Sequence, residues 1–131
     1  MKAFKEYWTR AFDFKGRTSR RDYWTAIGFL ILVSFVIGFV LGLAGLTPSI
    51  TVDSANNIKF NGGAGVFIYG AWYFINIIPG ISVEVRRLHD INKSGWFMLL
   101  GFIPIVNAIG SLVLFIFTLL PSVNEGNKYN N

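Results

Sequence analysis

From Tyr23 to Leu46 the chain runs twenty-four residues without a charge. As a helix that stretch is about 36 Å long, enough to cross the hydrocarbon of a bilayer with some tilt. Two further apolar runs follow, Ala64 to Val83 and Trp96 to Pro121. A chain of 131 residues allows one domain, and a soluble domain of that size has no interior to hide three such runs. Charged residues make up only 15% of the chain, against about 25% in a soluble globular protein. The second apolar solvent is therefore the bilayer, and the fold class is an all-α integral membrane protein. The first run is too long, and starts too far into the chain, for a cleaved leader, and no small-x-small site follows it.

The expected layout is a single membrane domain over 1–131. An N-terminal amphipathic helix over 1–15 lies in the interface, because Phe4, Tyr7, Trp8, Ala11 and Phe12 share one helical face. Docking of that face on the protein's own spans is the alternative. Glu6 and Arg10 are spaced for an i,i+4 pair, and Gly16 offers the left-handed conformation that ends the helix. Ser19 with Asp22 has capping-box spacing and opens span 1 over 19–46, which Pro48 terminates. An extracytoplasmic loop occupies 47–63. There Ile50-Thr51-Val52 and Ile58-Lys59-Phe60 flank a turn sequence, the pattern of a short β-hairpin, with a disordered loop as the alternative.

Span 2 covers 64–85, with Pro79-Gly80 expected to kink or loosen its last turns. The helix then carries Glu84, Arg86 and Arg87 out into the headgroups. A charged cytoplasmic segment, 86–95, leads to span 3 over 96–121, bent at Pro104. Its twenty-six residues reach about 39 Å, enough for one crossing and short for two. A re-entrant hairpin is the alternative, and residues 122–131 are a polar tail. The expectation is thus three transmembrane helices behind the interfacial one.

Lysine and arginine set the orientation. Seven precede span 1, one lies in the first loop, three lie between Arg86 and Lys93, and one is in the tail. The positive-inside rule then places the N-terminus and residues 86–95 in the cytoplasm. With three spans the tail is outside; a hairpin at Pro104 returns it to the cytoplasm. Within span 1, Ser34, Gly38 and Gly42 form a small-residue stripe that lets another helix approach, either from this chain or from a second copy.

If spans 1 and 2 are antiparallel, Arg17, Arg20 and Arg21 meet Arg86, Arg87, His89, Asp90 and Lys93 in one membrane-surface layer. Trp96 belongs to that layer, with Trp8 and Trp24, as an aromatic belt. Asp22 and Asp90 are each placed to accept a neighbouring arginine. Basic residues still outnumber acidic ones there, so anionic lipid or a partner's acidic segment is the expected counterpart.

Two stretches resemble the signatures of DUF805, a family of small bacterial inner-membrane proteins. They are Phe14-x-Gly16-Arg17-x-Ser19-Arg20-x-x-Tyr23-Trp24 and Arg86-Arg87-Leu88-His89-Asp90-x-x-x-Ser94-Gly95-Trp96. Pro104 and the tail Gly126-Asn127-Lys128-Tyr129 also match the family's pattern, whereas Asn130 stands where a glycine is usual. The resemblance implies an inner-membrane location and implies no activity, the family being named for unknown function.

Two functions are compatible with these residues. One is a non-catalytic membrane protein whose arginine layer anchors helices and binds anionic lipid. The other is an enzyme or transporter subunit acting on a phosphate-bearing amphiphile, with His89, Asp90 and the arginines at its site. Neighbouring residues such as His89 and Asp90 do not turn toward each other, and triad members come from separated segments, so no catalytic residue is assigned. A single histidine falls short of a metal-ligand set, no cofactor is expected, and without cysteine there is no thiolate chemistry. The chain carries no phosphate loop, GxSxG elbow, HExxH or EF-hand. Its basic residues abut apolar spans, which argues against nucleic acid.

Overall fold

The computed structural model describes residues 2–101 and 107–129, so the expected bend at Pro104 lies outside the described residues. In chain order the elements are α1 (Lys2–Thr9), α2 (Arg20–Leu43), β1 (Ser49–Val52), β2 (Ile58–Asn61), α3 (Gly63–Asp90), a 3-10 helix (Gly95–Gly101) and α4 (Asn107–Leu119). Two of them, α2 and α3, are long and apolar enough to cross a membrane. Phe35, Phe39, Phe67 and Phe74 on these helices are all exposed, a surface suited to lipid.

The two long helices end by the same device. At the end of α2, Leu46 N–H bonds Leu41 O at 2.9 Å and Gly45 N–H bonds Gly42 O at 3.1 Å. At the end of α3, Lys93 N–H bonds Leu88 O at 2.8 Å and Asn92 N–H bonds His89 O at 3.0 Å. Both are Schellman motifs, which need a left-handed residue at the turn. Gly45 (φ 67°) and Asn92 (φ 58°) supply it. The start of α2 is as expected, with Asp22 N–H on Ser19 Oγ at 3.1 Å.

The described residues fall into two compact units: one combines the residues up to Gly28 with those from Ile78 onward, and the other is Phe29–Ile77. In the second unit β1 and β2 pair antiparallel, Ser49 opposite Asn61 and Val52 opposite Ile58. Asp53 Oδ1 closes the turn by accepting the Ala55 and Asn57 N–H groups, each at 2.9 Å. Asn56 takes the left-handed position (φ 63°) that such a loop requires. In the same unit Trp72 Nε1 donates to Ser34 Oγ at 2.9 Å. Gly38 faces the Tyr69 hydroxyl so closely that a Cβ there would displace it. Gly42 meets only the Thr47 methyl, at 4.0 Å.

In the first unit α1 docks on the chain itself. Ala3, Tyr7 and Ala11, at i, i+4 and i+8, are buried, while Phe12 is 78% exposed. The fully buried Ser82 hydroxyl lies 3.0 and 2.8 Å from the Arg10 and Asp13 carbonyls. The expected apolar face is thus divided, with Tyr7 and Ala11 turned inward and Phe12 outward. Gly16 does not adopt the left-handed conformation. Instead Asp13 Oδ1 accepts the Lys15 and Gly16 N–H groups at 3.1 and 3.0 Å and turns the chain. Burial works against the Asp13 carboxylate, but the Arg10 side chain and those two N–H groups hold it below the usual aspartate range.

Helix α3 runs through Pro79 to Asp90, so its last turns stay helical where loosening was one expectation, and residues beyond the proline are deeply buried: Ser82 0%, Val83 3%, Leu88 1%. Packing there outweighs the local proline penalty. In the third apolar run the described residues form two pieces, the 3-10 helix and α4. The 3-10 helix and α4 pack against each other, with Phe97 edge-on to Phe117 at 5.8 Å. Asn107 Nδ2 donates to Gly101 O at 2.8 Å. A Cβ at Gly110 would stand 2.8 Å from the Leu100 carbonyl carbon, so glycine is what allows this approach.

Candidate binding site

Asp90 is the centre of the charged layer. Its Oδ1 takes Arg17 Nη2 at 3.0 Å and its Oδ2 takes Arg87 Nη1 at 2.6 Å. The Ser122 hydroxyl donates to Oδ2 as well. Arg17 Nη2 also reaches Val123 O and Asn124 Oδ1, each at 2.9 Å. A carboxylate between two guanidiniums compensates their charge where water is scarce.

The remaining donors converge on the end of α4. A helix leaves its last carbonyls without partners, and they carry the negative end of its dipole. Thr118 O receives Arg87 Nε at 3.3 Å and Trp24 Nε1 at 3.1 Å. Leu119 O receives Arg20 Nη1 at 3.1 Å, and Leu120 O receives Arg87 Nη2. The arginines expected to face headgroups therefore clamp a helix terminus.

Arg86 and Arg87, expected to pass out into the headgroups, are 1% and 0% exposed, buried among the protein's own residues. Arg86 shares a small cavity with Ala3, Glu6 and Tyr7 of α1 and with Thr18. Its Nε lies 3.4 Å from Ser82 O, and its Nη2 has no hydrogen-bond partner. Arg21 and Lys93 are exposed, as is Lys15, and Trp96 is 77% exposed. Asp22 makes no ion pair among the described residues, unlike Asp90.

His89 and Asp90 do not act on each other. The His89 Nδ1 lies 3.1 Å from Gly16 O, and a carbonyl only accepts, so Nδ1 carries the proton. The ring stacks on Tyr129, centroids 3.7 Å apart and planes 10° apart. Beyond it opens a pocket of about 550 Å³ whose walls include Phe14, Ile81, Val85, Trp96, Met98 and Leu99, with Ser94 also in the lining.

The tail is the part of the site that sequence reasoning missed. Val123 N–H bonds Asp90 O at 2.8 Å, and buried Asn127 gives its Nδ2 to His89 O at 2.9 Å and Val123 O at 2.7 Å. A short polar segment has no periodicity to announce a buried role, and only the match of residues 126–129 to the family tail hinted at it. Glu84, expected to pass out into the headgroups, accepts Tyr23 Oη at 2.7 Å.

The DUF805 family model, described as a protein of unknown function, matches residues 11–131. The inner membrane protein YhaH of Escherichia coli K12 is 33% identical over 98% of this chain and 90% of its own length. The inner membrane protein YhaI of the same strain is 25% identical over 90% of this chain and 83% of its own length. No solved structure matches the chain.

Proposed function

The chain belongs to the DUF805 family, and on that premise we propose a small non-catalytic protein of the bacterial inner membrane. Its arginine layer holds the protein's own short helices and tail together, and the exposed cations around that layer engage anionic headgroups. The observation carrying this reading is that Arg17, Arg20 and Arg87 direct their donors at Asp90 and at the carbonyls from Thr118 to Val123. Guanidiniums committed in that way do not reach phosphate. Lipid contact then falls to Lys15, Arg21 and Lys93, each worth about 1 kcal/mol near an anionic surface.

In this reading α2 and α3 cross the bilayer, and the 3-10 helix with α4 enters and returns from one face. The charge count supports a cytoplasmic N-terminus and cytoplasmic residues 86–95, and the contacts of Val123 and Asn127 with His89 and Asp90 support a tail on the same face. The catalytic alternative is disfavoured because Asp90 is engaged by Arg17, Arg87 and Ser122 rather than orienting His89. Native mass spectrometry in micelles containing phosphatidylglycerol or phosphatidylcholine tests the lipid role. Wild type is expected to retain phosphatidylglycerol, and a Lys15→Ser, Arg21→Ser, Lys93→Ser variant to release it. Equal retention by both proteins would overturn this reading.

A further inference from the structure

We infer that the pocket beside His89 binds a neutral single-chain lipid with a diol head, of the monoacylglycerol kind. The geometry defines both ends of the ligand. Where the ring carries a single proton, on the Nδ1 that faces the Gly16 carbonyl, Nε2 presents a lone pair. The side chain is 6% exposed, and Nε2 lies on the pocket side of the ring, where an ideal Cβ on Gly95 would stand 3.5 Å from it. An acceptor facing an apolar pocket takes a donor, which a hydroxyl is and an ester or ionised carboxylate is not. Ser94 lines the same pocket. Its oxygen already accepts the Trp96 N–H at 3.3 Å, so the hydroxyl proton remains for a second, adjacent ligand oxygen. A vicinal diol meets both groups.

The rest of the pocket decides the tail and excludes charge. Among the described residues no Lys, Arg, Asp or Glu lines it, and Phe14, Ile81, Val85, Met98 and Leu99 form its walls. A phosphate head would find no cation there, whereas an acyl chain finds apolar contact. The volume of about 550 Å³ falls in the range of roughly 300–1,000 Å³ that encloses one compact ligand. A lipid with two chains would leave one outside. This inference concerns a pocket separate from the exposed cations, so its success or failure does not decide whether those cations bind anionic lipid.

His89 is the sole histidine, which gives the test a unique reporter. Protein labelled with nitrogen-15 at histidine, held in micelles at pH 8, is titrated with 1-monooleoylglycerol and with methyl oleate. The two share a chain, but methyl oleate has no donor. The expected result is a saturable shift of the Nε2 resonance with monooleoylglycerol, and binding of methyl oleate about fivefold weaker, the worth of one neutral hydrogen bond. Leu99→Trp, which fills the pocket from a half-exposed position, should abolish the shift while the Nδ1–H signal persists. Equal responses to the two ligands in wild type would overturn the inference without any variant. So would a wild-type response from folded Leu99→Trp protein.

Discussion

Arg17 and Asp90 stand 73 residues apart in sequence and meet with Nη2 3.0 Å from Oδ1. This contact joins the two signature stretches, and Arg87 and Ser122 complete it from the other carboxylate oxygen. The side chains are 19% and 6% exposed for the Arg17–Asp90 pair, and Arg87 is fully buried. Removing the shared acid strands two guanidiniums, and breaking a buried pair costs roughly 3–5 kcal/mol. Asp90→Asn should therefore lower stability by about 3 kcal/mol, seen as a large fall in the unfolding midpoint in detergent. Arg21→Ala, at an exposed position, should change it by less than about 0.5 kcal/mol. Near-wild-type unfolding of Asp90→Asn would mean that the clamp does not stabilise the fold.

The left-handed turn at Asn92 makes a second prediction. An L side chain pays roughly 1–2 kcal/mol in that conformation, least for glycine and asparagine. Asn92 Oδ1 also accepts Lys128 N–H at 3.1 Å, so glycine relieves the backbone but loses a bond to the tail. The expected order of stability is Asn92 wild type, then Asn92→Gly, then Asn92→Val, with valine lowest by about 1–2 kcal/mol. Denaturation midpoints measure it, and a valine variant equal to wild type would contradict the turn.

Asp13 predicts a response to acid. Its folded carboxyl titrates below the usual aspartate value, so the unfolded chain binds its proton first as pH falls. The contribution is present above the unfolded value and is lost as pH drops through the folded one. Amide exchange at Lys15 and Gly16, whose N–H groups bond Asp13 Oδ1, should speed up below about pH 4 relative to the intrinsic rate. Asp13→Asn should remove that inflection. Protection that stays flat down to pH 2 would show that the carboxylate does not hold the turn.

The long apolar helices α2 and α3 and the β1–β2 hairpin were legible because their signals are local: uncharged length, a cap, and β-branched residues about a turn. The third apolar run was not. Hydropathy measures composition, and it reads the same whether Trp96 to Pro121 is one helix or two short ones packed through Gly101 and Gly110. Arg17 and Arg87 meet at Asp90, whereas the sequence pointed the arginines toward headgroups. Charge alone says headgroup, whereas the carbonyls of Thr118, Leu119 and Leu120 that receive Arg20 and Arg87 come from a helix end whose position no local pattern specifies. His89 was noticed for its neighbour Asp90, although its partners are Gly16 and Tyr129, brought to it from far along the chain.

The fold-back proposed for the third run gives the last prediction. Helix α4 has thirteen residues, about 20 Å, too short to span about 30 Å of hydrocarbon alone. Its contact with the 3-10 helix returns the chain toward Asp90, where Val123 and Asn127 are bonded. The natural chain has no cysteine, so single cysteines report without background. Lys15→Cys and Glu125→Cys, both at exposed positions, should share one accessibility: protected from an impermeant maleimide in intact cells and labelled once the inner membrane is permeabilised. Labelling of Glu125→Cys in cells whose outer membrane alone is opened, with Lys15→Cys still protected, would restore a third full span and put the tail outside.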